Sequence, residues 1–332
     1  MKDLIKRIVK MIIPKRIIYL LKTTLAYWYD IKRFTFYSNT YYRFDNPIKV
    51  KGQLTILYHV IEKGLTMPET RFGFGMKIIQ ELTDLCSFYI QKGYDTRDQI
   101  FFHSIEVLNE YLRFHVLNNF SLEANIIKGI NEVSSAARID TSSSQYHFSN
   151  SEFFKDHHSS FVEFCKSRHS SRNFLQKDIP IETIYQCIEL ANRSPSDCNR
   201  QPIRVYIIKN QQKMRKVLDL QNGNRGFGHL ANTLFVIASD ISSFQGMERN
   251  EPFLNAGLFS MTLLYALHFH KIGACLLNWA APDSKDKKLR TLLQIPENEQ
   301  IAVLIACGYL PDEFKIAISP RLEVPKIIHE IV

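Results

Sequence analysis

The second half of the chain switches repeatedly between a strand-like and a helix-like spacing of apolar residues, and this alternation restricts the fold most. Three β-branched runs predict strands, namely IRVYIIKN (203–210), LFVIASD (234–240) and IAVLIACGYL (301–310). Helical patterns lie between and before them, such as Ile181–Ala191, which follows Pro180. Helices and strands that alternate over about 175 residues predict an α+β or α/β domain.

A long segment of this half, FLNAGLFSMTLLYALHFHKIGACLL (253–277), is apolar on almost every side of a helix in its first part. A helix with this pattern has no polar face to turn toward water. We therefore predict that it is buried, either inside the domain or between two subunits.

The first half of the chain is predicted to be helical. Residues 54–115 place apolar side chains at helical spacing, as in MKIIQELTDLCSFYIQKGY and IFFHSIEVLNEYLRFHVL. A Ser-rich, weakly apolar stretch at 134–152 indicates a boundary. The sequence thus predicts a basic arm at 1–51, a helical subdomain at 52–150 and the α+β domain at 151–332.

The segment HVIEKGLTMPETRFGFG (59–75) combines glycines with charged residues. Four of its side chains could belong to a functional site: His59, Glu62, Lys63 and Arg71. The glycines of GFG suit a structured loop equally well, because glycine is a usual residue of turns. The two interpretations stay open at this point.

The formal charge of +9 is confined to the arm. Residues 1–51 hold twelve Lys or Arg and three acidic residues, so the remaining 281 residues are neutral overall. The aromatic residues of the arm lie within apolar runs and not along a basic groove, which disfavours a nucleic acid as partner. The charge pattern therefore predicts no nucleic-acid binding.

The arm has the pattern of a helix that lies on an anionic membrane. Its first twelve residues place apolar side chains on one half of a helix and lysines and Arg7 on the other. Residues 1–30 are predicted either to contact a membrane peripherally or to pack on the protein or a partner subunit. Charged residues interrupt every run that could span a bilayer, and no signal-peptide pattern is found.

The six cysteines are scattered without a CxxC pair, which suits a reducing compartment and predicts a cytoplasmic location. The histidine pairs at 157–158 and 268–270 have no cysteine or carboxylate at the spacings of zinc sites, so no metal is predicted. GxSxG, HExxH and GxxxxGK[ST] are also missing. These absences disfavour a metal-dependent or triad hydrolase.

Two polar clusters can carry chemistry. In SRHSSRNF (167–174), an extended backbone would project Arg168, Ser170 and Arg172 to one side. Two guanidiniums and a hydroxyl suit a phosphate or another compact anion, although a solvated basic strand gives the same pattern.

The second cluster, SPSDCNRQP (194–202), lies between a predicted helix and a predicted strand. Its Asn199 and Gln201 can offer amide donors and acceptors to a planar heterocycle. A simple turn and helix stop explains the same residues. Neither cluster decides the function alone.

Together the two clusters resemble the nitroreductase family of FMN-dependent oxidoreductases over roughly residues 160–325. The first family motif is matched by Arg168, Ser170 and Arg172, which flank His169, and the second by Pro195, Ser196, Asn199, Gln201 and Pro202. Later positions also match: Asn224 before the 234–240 strand, the turn at 277–280 with Asn278 and Trp279, and Arg321 in ISPRLEV.

The resemblance implies a nitroreductase-like fold, with a mixed or antiparallel sheet flanked by helices. It implies that Arg168, Arg172 and Arg321 neutralise the FMN phosphate, and that Arg172 also serves the pyrimidine pole as an electrostatic stabiliser. It further implies that Asn199 and Asn224 contact the flavin and that the backbone near Asn278 and Trp279 faces its N5 atom. The remaining motif residues above are implied to line the same cofactor.

The resemblance implies a homodimer with FMN at the subunit interface and 253–269 as the candidate interface helix. The implied activity is hydride transfer between NAD(P)H, FMN and a small acceptor: a nitroaromatic, a quinone, an enone or a dedicated biosynthetic intermediate. The long N-terminal extension resembles those of members associated with polysaccharide biosynthesis. The alternative hypothesis is a membrane-peripheral binding or assembly protein whose nitroreductase-like domain is structural or senses flavin.

Overall fold

The computed structural model describes residues 14–40 and 44–331. Its first part consists of five helices, which are α1 (Lys15–Tyr37), α2 (Pro47–Leu65), α3 (Met76–Gln91), α4 (Gln99–Leu117) and α5 (Ala124–Ala137). Helices α2 to α5 enclose one apolar core that extends from Val50 to Ile139. We call these four helices the helical body.

Local sequence signals explain where the helices of this body begin. Asn46 caps α2, because its Oδ1 accepts a hydrogen bond from the Lys49 backbone N–H at 3.1 Å, and Pro47 occupies the first turn. Asp98 caps α4 in the same way through Ile100. Helix α2 therefore crosses the predicted boundary at residue 51.

The carboxyl end of α2 differs from the prediction of a turn-rich segment at 59–75. The helix continues to Leu65, so that His59, Glu62 and Lys63 lie on its last two turns. Leu57, Ile61 and Leu65 are buried in the helical body and keep this part of the chain helical. The glycine-containing turns begin only after Thr66.

Helix α1 lies outside this core and has no buried residue. An ion pair between Asp30 and Arg249 (2.5 Å) connects it to the second half of the molecule. The predicted amphipathic segment at 1–13 lies outside the described residues. Among the described helices, none has the length and hydropathy needed to cross a bilayer.

The second body contains six helices and six strands. In chain order they are β1 (Gln145–Ser149), α6 (Asn150–Phe153), α7 (Phe161–Ser167), α8 (Ile181–Ala191), β2 (Ile203–Ile208), α9 (Gln211–Leu218), β3 (Thr233–Asp240), α10 (Glu251–Phe269), β4 (Gly273–Asn278), α11 (Asp283–Leu293), β5 (Glu299–Gly308) and β6 (Glu313–Ala317).

Four strands form an antiparallel sheet in the order β2-β3-β5-β4. Alternate residues of the central strand β3 face opposite cores: Phe235 packs with α8 and α10, whereas Leu234 packs with α9 and α11. A sheet covered by helices on both faces explains why β3 and β5 read as nearly continuous apolar runs. The predicted α+β fold with an antiparallel sheet flanked by helices is confirmed.

The apolar segment 253–277 contains a helix and then a strand. Helix α10 ends at Phe269, Lys271 adopts a left-handed conformation (φ 57°), and β4 then pairs with β5 over six residues. Leu277 and Asn278, which the resemblance assigned to a turn, are the last residues of this strand. Strand pairing with β5 places them there.

A two-stranded sheet, β1 with β6, joins the two bodies. Its register continues beyond the strands, because the Ile318 backbone N–H donates to the Ser144 carbonyl at 3.1 Å. The next residue, Ser319, donates to Glu62 of α2. The chain after β6 is therefore fixed against the helical body.

Candidate functional site

The segment 168–172 lies along the outer edge of β4. Ser170 forms a parallel bridge with Ala274, and the Ser171 backbone N–H donates to the Ala274 carbonyl at 3.1 Å. Gly273 permits this approach, because a Cβ there would collide with Leu310 and with the Ser171 hydroxyl. The predicted extended backbone therefore has its basis in pairing with an edge strand.

Arg172 is the most unusual side chain of this segment. It is only 7% exposed, its guanidinium lies 6.0 Å from the centre of the Phe227 ring, and its Nε is buried without a hydrogen-bond partner. Burial of a charge without a partner is strongly unfavourable. A buried cation of this kind therefore indicates a place for an anion.

Arg168, His169 and Arg321 lie within electrostatic range of one another. Burial lowers the pKa of Arg168, and repulsion from Arg321 lowers it further. Burial, Arg168 and Arg321 together lower the pKa of His169. Two guanidiniums that are separated by about 150 positions in the sequence therefore share one region of the molecule.

Lys63 of α2 belongs to the same region. Burial lowers its pKa, and repulsion from Arg172 lowers it further. We call Lys63, Arg168, His169, Arg172 and Arg321 the basic corner. In the described part of the chain, no ion pair involves any of its lysine or arginine side chains.

His268 of α10 lies below this corner and stays neutral. Burial and the charge of Arg168 lower its pKa to about 4, and its Nε2 lies 2.8 Å from the Ser167 hydroxyl. His169 and His268 line a void beside Arg168 that has essentially no room for a water molecule. Ligand pockets usually measure about 300–1,000 Å³, so a flavin ring does not fit into this void.

Asn224 lies in the loop that also carries Phe227. Its side-chain nitrogen donates to the carbonyl oxygens of Leu218 (2.7 Å) and Gln221 (2.9 Å). These bonds fix the loop, and Phe227 extends from it below Arg172. The amide nitrogen of Asn224 is thus committed to the protein.

Asn278 and Trp279 lie at the end of β4, next to the same loop. The Gln221 side chain donates to the Asn278 carbonyl at 3.1 Å and contacts Asn224, so it connects the loop to the strand. The Trp279 indole N–H donates to Asp286 at 2.8 Å. No sequence signal indicated Gln221, because its partners are distant in the chain.

The cluster at 194–202, which we call the amide turn, satisfies most of its polar groups internally. The Ser196 hydroxyl accepts from the Gln201 backbone N–H at 3.0 Å. Arg200 forms ion pairs with Asp197 and with Glu248, the latter at 2.8 Å. The side chains of Asn199 and Gln201 are exposed, and both residues adopt left-handed backbone conformations.

Within one chain, the amide turn and the basic corner lie at opposite corners of the sheet. Ser170 flanks β4 at the end of the sheet where Ala274 pairs with Cys307. Pro202 precedes β2 at the other end, where its carbonyl accepts from Asp240 at 2.8 Å. With strands about 4.8 Å apart and a rise of about 3.3 Å per residue, the separation is on the order of 25–30 Å.

The residues of the basic corner fit the anionic part of an FMN molecule. The phosphate of FMN is close to a dianion, and arginine donates to phosphate through a planar fork of N–H groups. The orphaned Nε of Arg172 is a donor of this type. So are the guanidiniums of Arg168 and Arg321, which have no carboxylate partner among the described residues, although Arg321 also donates to the Ser319 carbonyl at 3.2 Å. The donor set is therefore compatible with a phosphorylated flavin.

Comparison with known proteins agrees with this chemistry. Residues 165–224, which include Arg168 to Arg172 and the amide turn, match the model described as "Nitroreductase family". The chain is therefore similar to this family over residues 165–224. In general terms, this similarity supports a flavin-dependent oxidoreductase that acts on a small molecule.

One curated protein to which the chain is similar is the "Iodotyrosine dehalogenase 1 homolog" of Caenorhabditis elegans. The two proteins are 22% identical over 197 residues, which is 50% of this chain and 60% of the relative. The chain thus spans about 60% of the length of the curated relative that it matches.

Solved structures of nitroreductases are also similar to the second body. The nitroreductase family protein from Streptococcus pneumoniae TIGR4 is 23% identical, with a TM-score of 0.44 over 52% of this chain and 100% of that one. The FMN-dependent nitroreductase from Clostridium difficile R20291 is 18% identical, with a TM-score of 0.41 over 45% of this chain and 87% of that one.

Proposed function

We propose that the protein is an FMN-dependent oxidoreductase whose basic corner holds the cofactor. The observation that carries this proposal is Arg172, a guanidinium that is buried without any carboxylate partner among the described residues. An anion that compensates this charge would offset the cost of burying it. An FMN bound there supplies that anion.

In this proposal, different side chains of the basic corner bind the phosphate and the ring of FMN. Arg168 and Arg321 repel each other electrostatically. One dianionic phosphate between the two guanidiniums would offset this repulsion. Arg172 lies over the Phe227 ring, and its charge would stabilise negative charge at the pyrimidine end of a bound flavin. His169 and Ser170 lie between these cations along the edge of β4.

An FMN held by these residues would supply hydride transfer at its N5 atom, so that neither a nucleophile nor a general acid would be required from the protein. The chain's own contribution is to bind and orient the ring. The Asn224 loop and the end of β4, joined through Gln221, form a fixed surface beside the corner for this purpose.

The active form that we propose is a homodimer. The amide turn is too far from the basic corner of its own chain to touch the same ring, so a second chain is needed to supply it. Helix α10 offers a surface for this chain: Phe253, Leu254 and Leu258 are exposed, and a side chain at Gly257 would meet open space. Apolar faces of this type are typical of obligate interfaces.

The proposed reductant is NADH or NADPH, and the proposed acceptor is a nitroaromatic, a quinone, an enone or a dedicated biosynthetic intermediate. The name of the curated relative adds a halogenated tyrosine to the acceptors worth testing. These small planar molecules share the ability to stack on a flavin ring that a dimer exposes.

The experiment is a spectrum of the purified protein, before and after addition of FMN and then of NAD(P)H without oxygen. We expect bound flavin that bleaches with NADH or NADPH and recovers its colour when an acceptor is added. A colourless protein that does not bind added FMN would contradict the proposal. Mass spectrometry of the ligand released from native protein identifies the cofactor independently.

A specific observation favours a second property, peripheral membrane contact by a cytoplasmic protein. Helix α1 exposes apolar and aromatic side chains over its whole length, among them Leu20, Leu25, Trp28 and Phe34. Its charged residues are five Lys or Arg and Asp30, which is neutralised by Arg249. A basic helix with exposed aromatic residues is suited to an anionic lipid surface.

Sedimentation with lipid vesicles tests this contact. The protein should sediment with vesicles that contain phosphatidylserine and remain in solution with phosphatidylcholine alone, and Trp28→Glu should reduce the bound fraction. Tyr185→Glu is the matched control, because Tyr185 is similarly exposed but lies on α8. Equal sedimentation with both vesicle types would contradict an electrostatic membrane contact.

A further inference from the structure

Ser319, two residues after β6, has an unusual backbone conformation. Its φ angle is 44°, in the left-handed region that residues with a side chain seldom adopt. The next residue is Pro320, and a residue before proline prefers an extended backbone. Two local preferences oppose this conformation, so contacts from elsewhere in the fold must stabilise it. We call residues 318–321 the Ser319 turn.

Glu62 of α2 supplies these contacts. Its carboxylate is fully buried and accepts hydrogen bonds from the Ser319 hydroxyl at 2.8 Å and from the Ser319 backbone N–H at 3.3 Å. The Nδ1 atom of His59 (2.7 Å) and the Nε2 atom of His103 (3.2 Å) lie against the same carboxylate. Because one carboxylate binds both donors of Ser319, it fixes the side chain and the backbone of this residue together.

The Ser319 turn lies beside the basic corner. The ring centres of Tyr146 in β1 and His169 in the corner are 6.4 Å apart. Tyr146 pairs with Ile316 of β6, three residues before Ser319. Beyond Ser319 the side chain of Arg321 folds back, and its Nη1 donates to the Ser319 carbonyl at 3.2 Å. The backbone conformation of Ser319 therefore determines where the Arg321 guanidinium lies.

Attachment of the second body to the helical body is a simpler explanation of the hydrogen bonds to Glu62. Such an attachment needs only a serine hydroxyl, which a residue with an extended backbone offers as well. It does not explain a left-handed residue before proline. Unfavourable backbone conformations that the surrounding structure imposes are concentrated at ligand sites and active sites. A turn that is imposed by Glu62 and carries Arg321 fits this description.

We propose that Ser319 is a positioning residue for the cofactor, because its left-handed turn, held by Glu62, places the Arg321 guanidinium for the FMN phosphate. The helical body thus takes part in assembling a site whose cations at 168–172 belong to the second body. This inference rests on the FMN site proposed above. It adds two residues that lie outside the region of family similarity at 165–224.

Flavin titration of three variants tests whether the left-handed backbone matters. Ser319→Val should weaken FMN binding by about tenfold, because a β-branched residue resists this conformation. Ser319→Gly should retain most of the affinity, since glycine adopts the conformation readily and keeps a backbone N–H for Glu62. The matched control is Gln294→Val, which changes another exposed left-handed residue (φ 56°) at the end of α11 and should leave FMN affinity unchanged.

Riboflavin separates a role in positioning from a role in folding. It lacks the phosphate, so Ser319→Val should bind riboflavin nearly as well as the wild-type protein does. Wild-type FMN affinity in Ser319→Val, equal losses in Ser319→Val and Ser319→Gly, or equal losses for FMN and riboflavin would each overturn the inference and leave the FMN proposal standing. If the wild-type protein binds no flavin, both proposals fall.

A second measurement uses the unmodified protein and does not depend on the folding of a variant. Amide hydrogen exchange of residues 318–323, read by mass spectrometry, should be slower with saturating FMN than with saturating riboflavin. The reason is that only the phosphate engages Arg321 and thereby stabilises the turn. Equal exchange with the two ligands overturns the inference.

Discussion

The basic corner and the amide turn are both rich in polar residues, but the arginines of the two regions differ in whether they have carboxylate partners. In the amide turn, Arg200 has two carboxylate partners at the protein surface. In the basic corner, Arg172 is more deeply buried and has none among the described residues. The comparison teaches that the amide turn satisfies its charges within the protein, whereas the basic corner leaves cations without carboxylate partners, as the proposed ligand site requires.

The largest expected effect is on FMN binding, and it is tested by matched substitutions of Arg172 in the basic corner and Arg204 near the amide turn. Arg172→Met should weaken FMN binding by about 100-fold or more, because at least two charged hydrogen bonds are lost at about 1.5–3 kcal/mol each. The same change should leave the melting temperature of the flavin-free protein unchanged or higher, because it removes an unpaired buried charge.

Arg204→Met is the control for this pair, since Arg204 is exposed near the amide turn and pairs with Asp240. It should leave FMN affinity unchanged in fluorescence titrations. A large loss of stability in flavin-free Arg172→Met would show that Arg172 has a structural role, and the contrast between the corners would fail.

The second prediction concerns how the basic corner is held together. Arg321→Ala should weaken FMN binding by about 10- to 100-fold and leave riboflavin binding nearly unchanged, because riboflavin lacks the phosphate. Glu62→Ala should have a similar but smaller effect, since Glu62 acts through the Ser319 turn. The double variant should bind FMN no worse than Arg321→Ala alone.

Additive effects of the two substitutions on FMN affinity would argue that Glu62 does not act through Arg321. Glu62→Gln provides a milder variant that keeps an acceptor for the Ser319 hydroxyl. Circular dichroism of each variant establishes that the comparison is made between folded proteins.

The third prediction tests whether a second chain brings its amide turn to the basic corner of the first. Leu254→Glu places a charge on the exposed face of α10 and should convert the dimer into a monomer in light scattering. FMN affinity should fall by about tenfold, since each ring loses the partner's amide turn. Val116→Glu, at an exposed apolar residue of the helical body, should change neither property.

A monomer that retains full FMN affinity would contradict the proposed contribution of the partner. It would also mean that the amide turn has no part in cofactor binding. The basic corner and the amide turn would then not be two halves of one site.

The smallest expected effect is a dependence of stability on pH. Burial alone would raise the pKa of Glu62, but hydrogen bonds from His103, His59 and Ser319 more than offset it and lower the pKa to about 2. The folded state thus gains stability above the ordinary pKa of 4.5 and loses it as the pH falls toward 2.

This linkage corresponds to a loss of about 1.4 kcal/mol between pH 6 and pH 3.5, measured as the free energy of unfolding in urea. Glu62→Gln should remove this component of the acid dependence. The Glu163→Gln variant, at an exposed carboxylate of α7, should keep it. An identical acid profile in the wild-type protein and Glu62→Gln would contradict the assignment.

Local patterns were sufficient to predict much of the fold. The β-branched runs became β2, β3 and β5, because each forms part of a sheet that is covered on both faces. Strands β1, β4 and β6 were not predicted. The sequence of β4, GACLLN, continues an apolar run and becomes a strand only through pairing with β5. Its assignment depends on a contact about 30 residues away, which periodicity does not contain.

The site could be predicted only in part for a related reason. The spacing of Arg168, Ser170 and Arg172 indicated an anion site, and these residues do lie together at the edge of β4. The separation of the amide turn from that edge depends on the order of strands in the sheet, which the sequence does not reveal. Lys63 remained one of four open candidates, because its charged neighbour Arg172 belongs to the other half of the chain.

The hydrogen bonds between Glu62 and Ser319 join residues 257 positions apart. During synthesis the helical body can collapse early, because its contacts are local, but Glu62 must wait until Ser319 has left the ribosome. Until then its buried carboxylate has only histidines as partners, and Arg321 has not reached the corner. If the proposed cofactor site is correct, the cofactor would load only after both halves of this segment of the chain have been made and have come together.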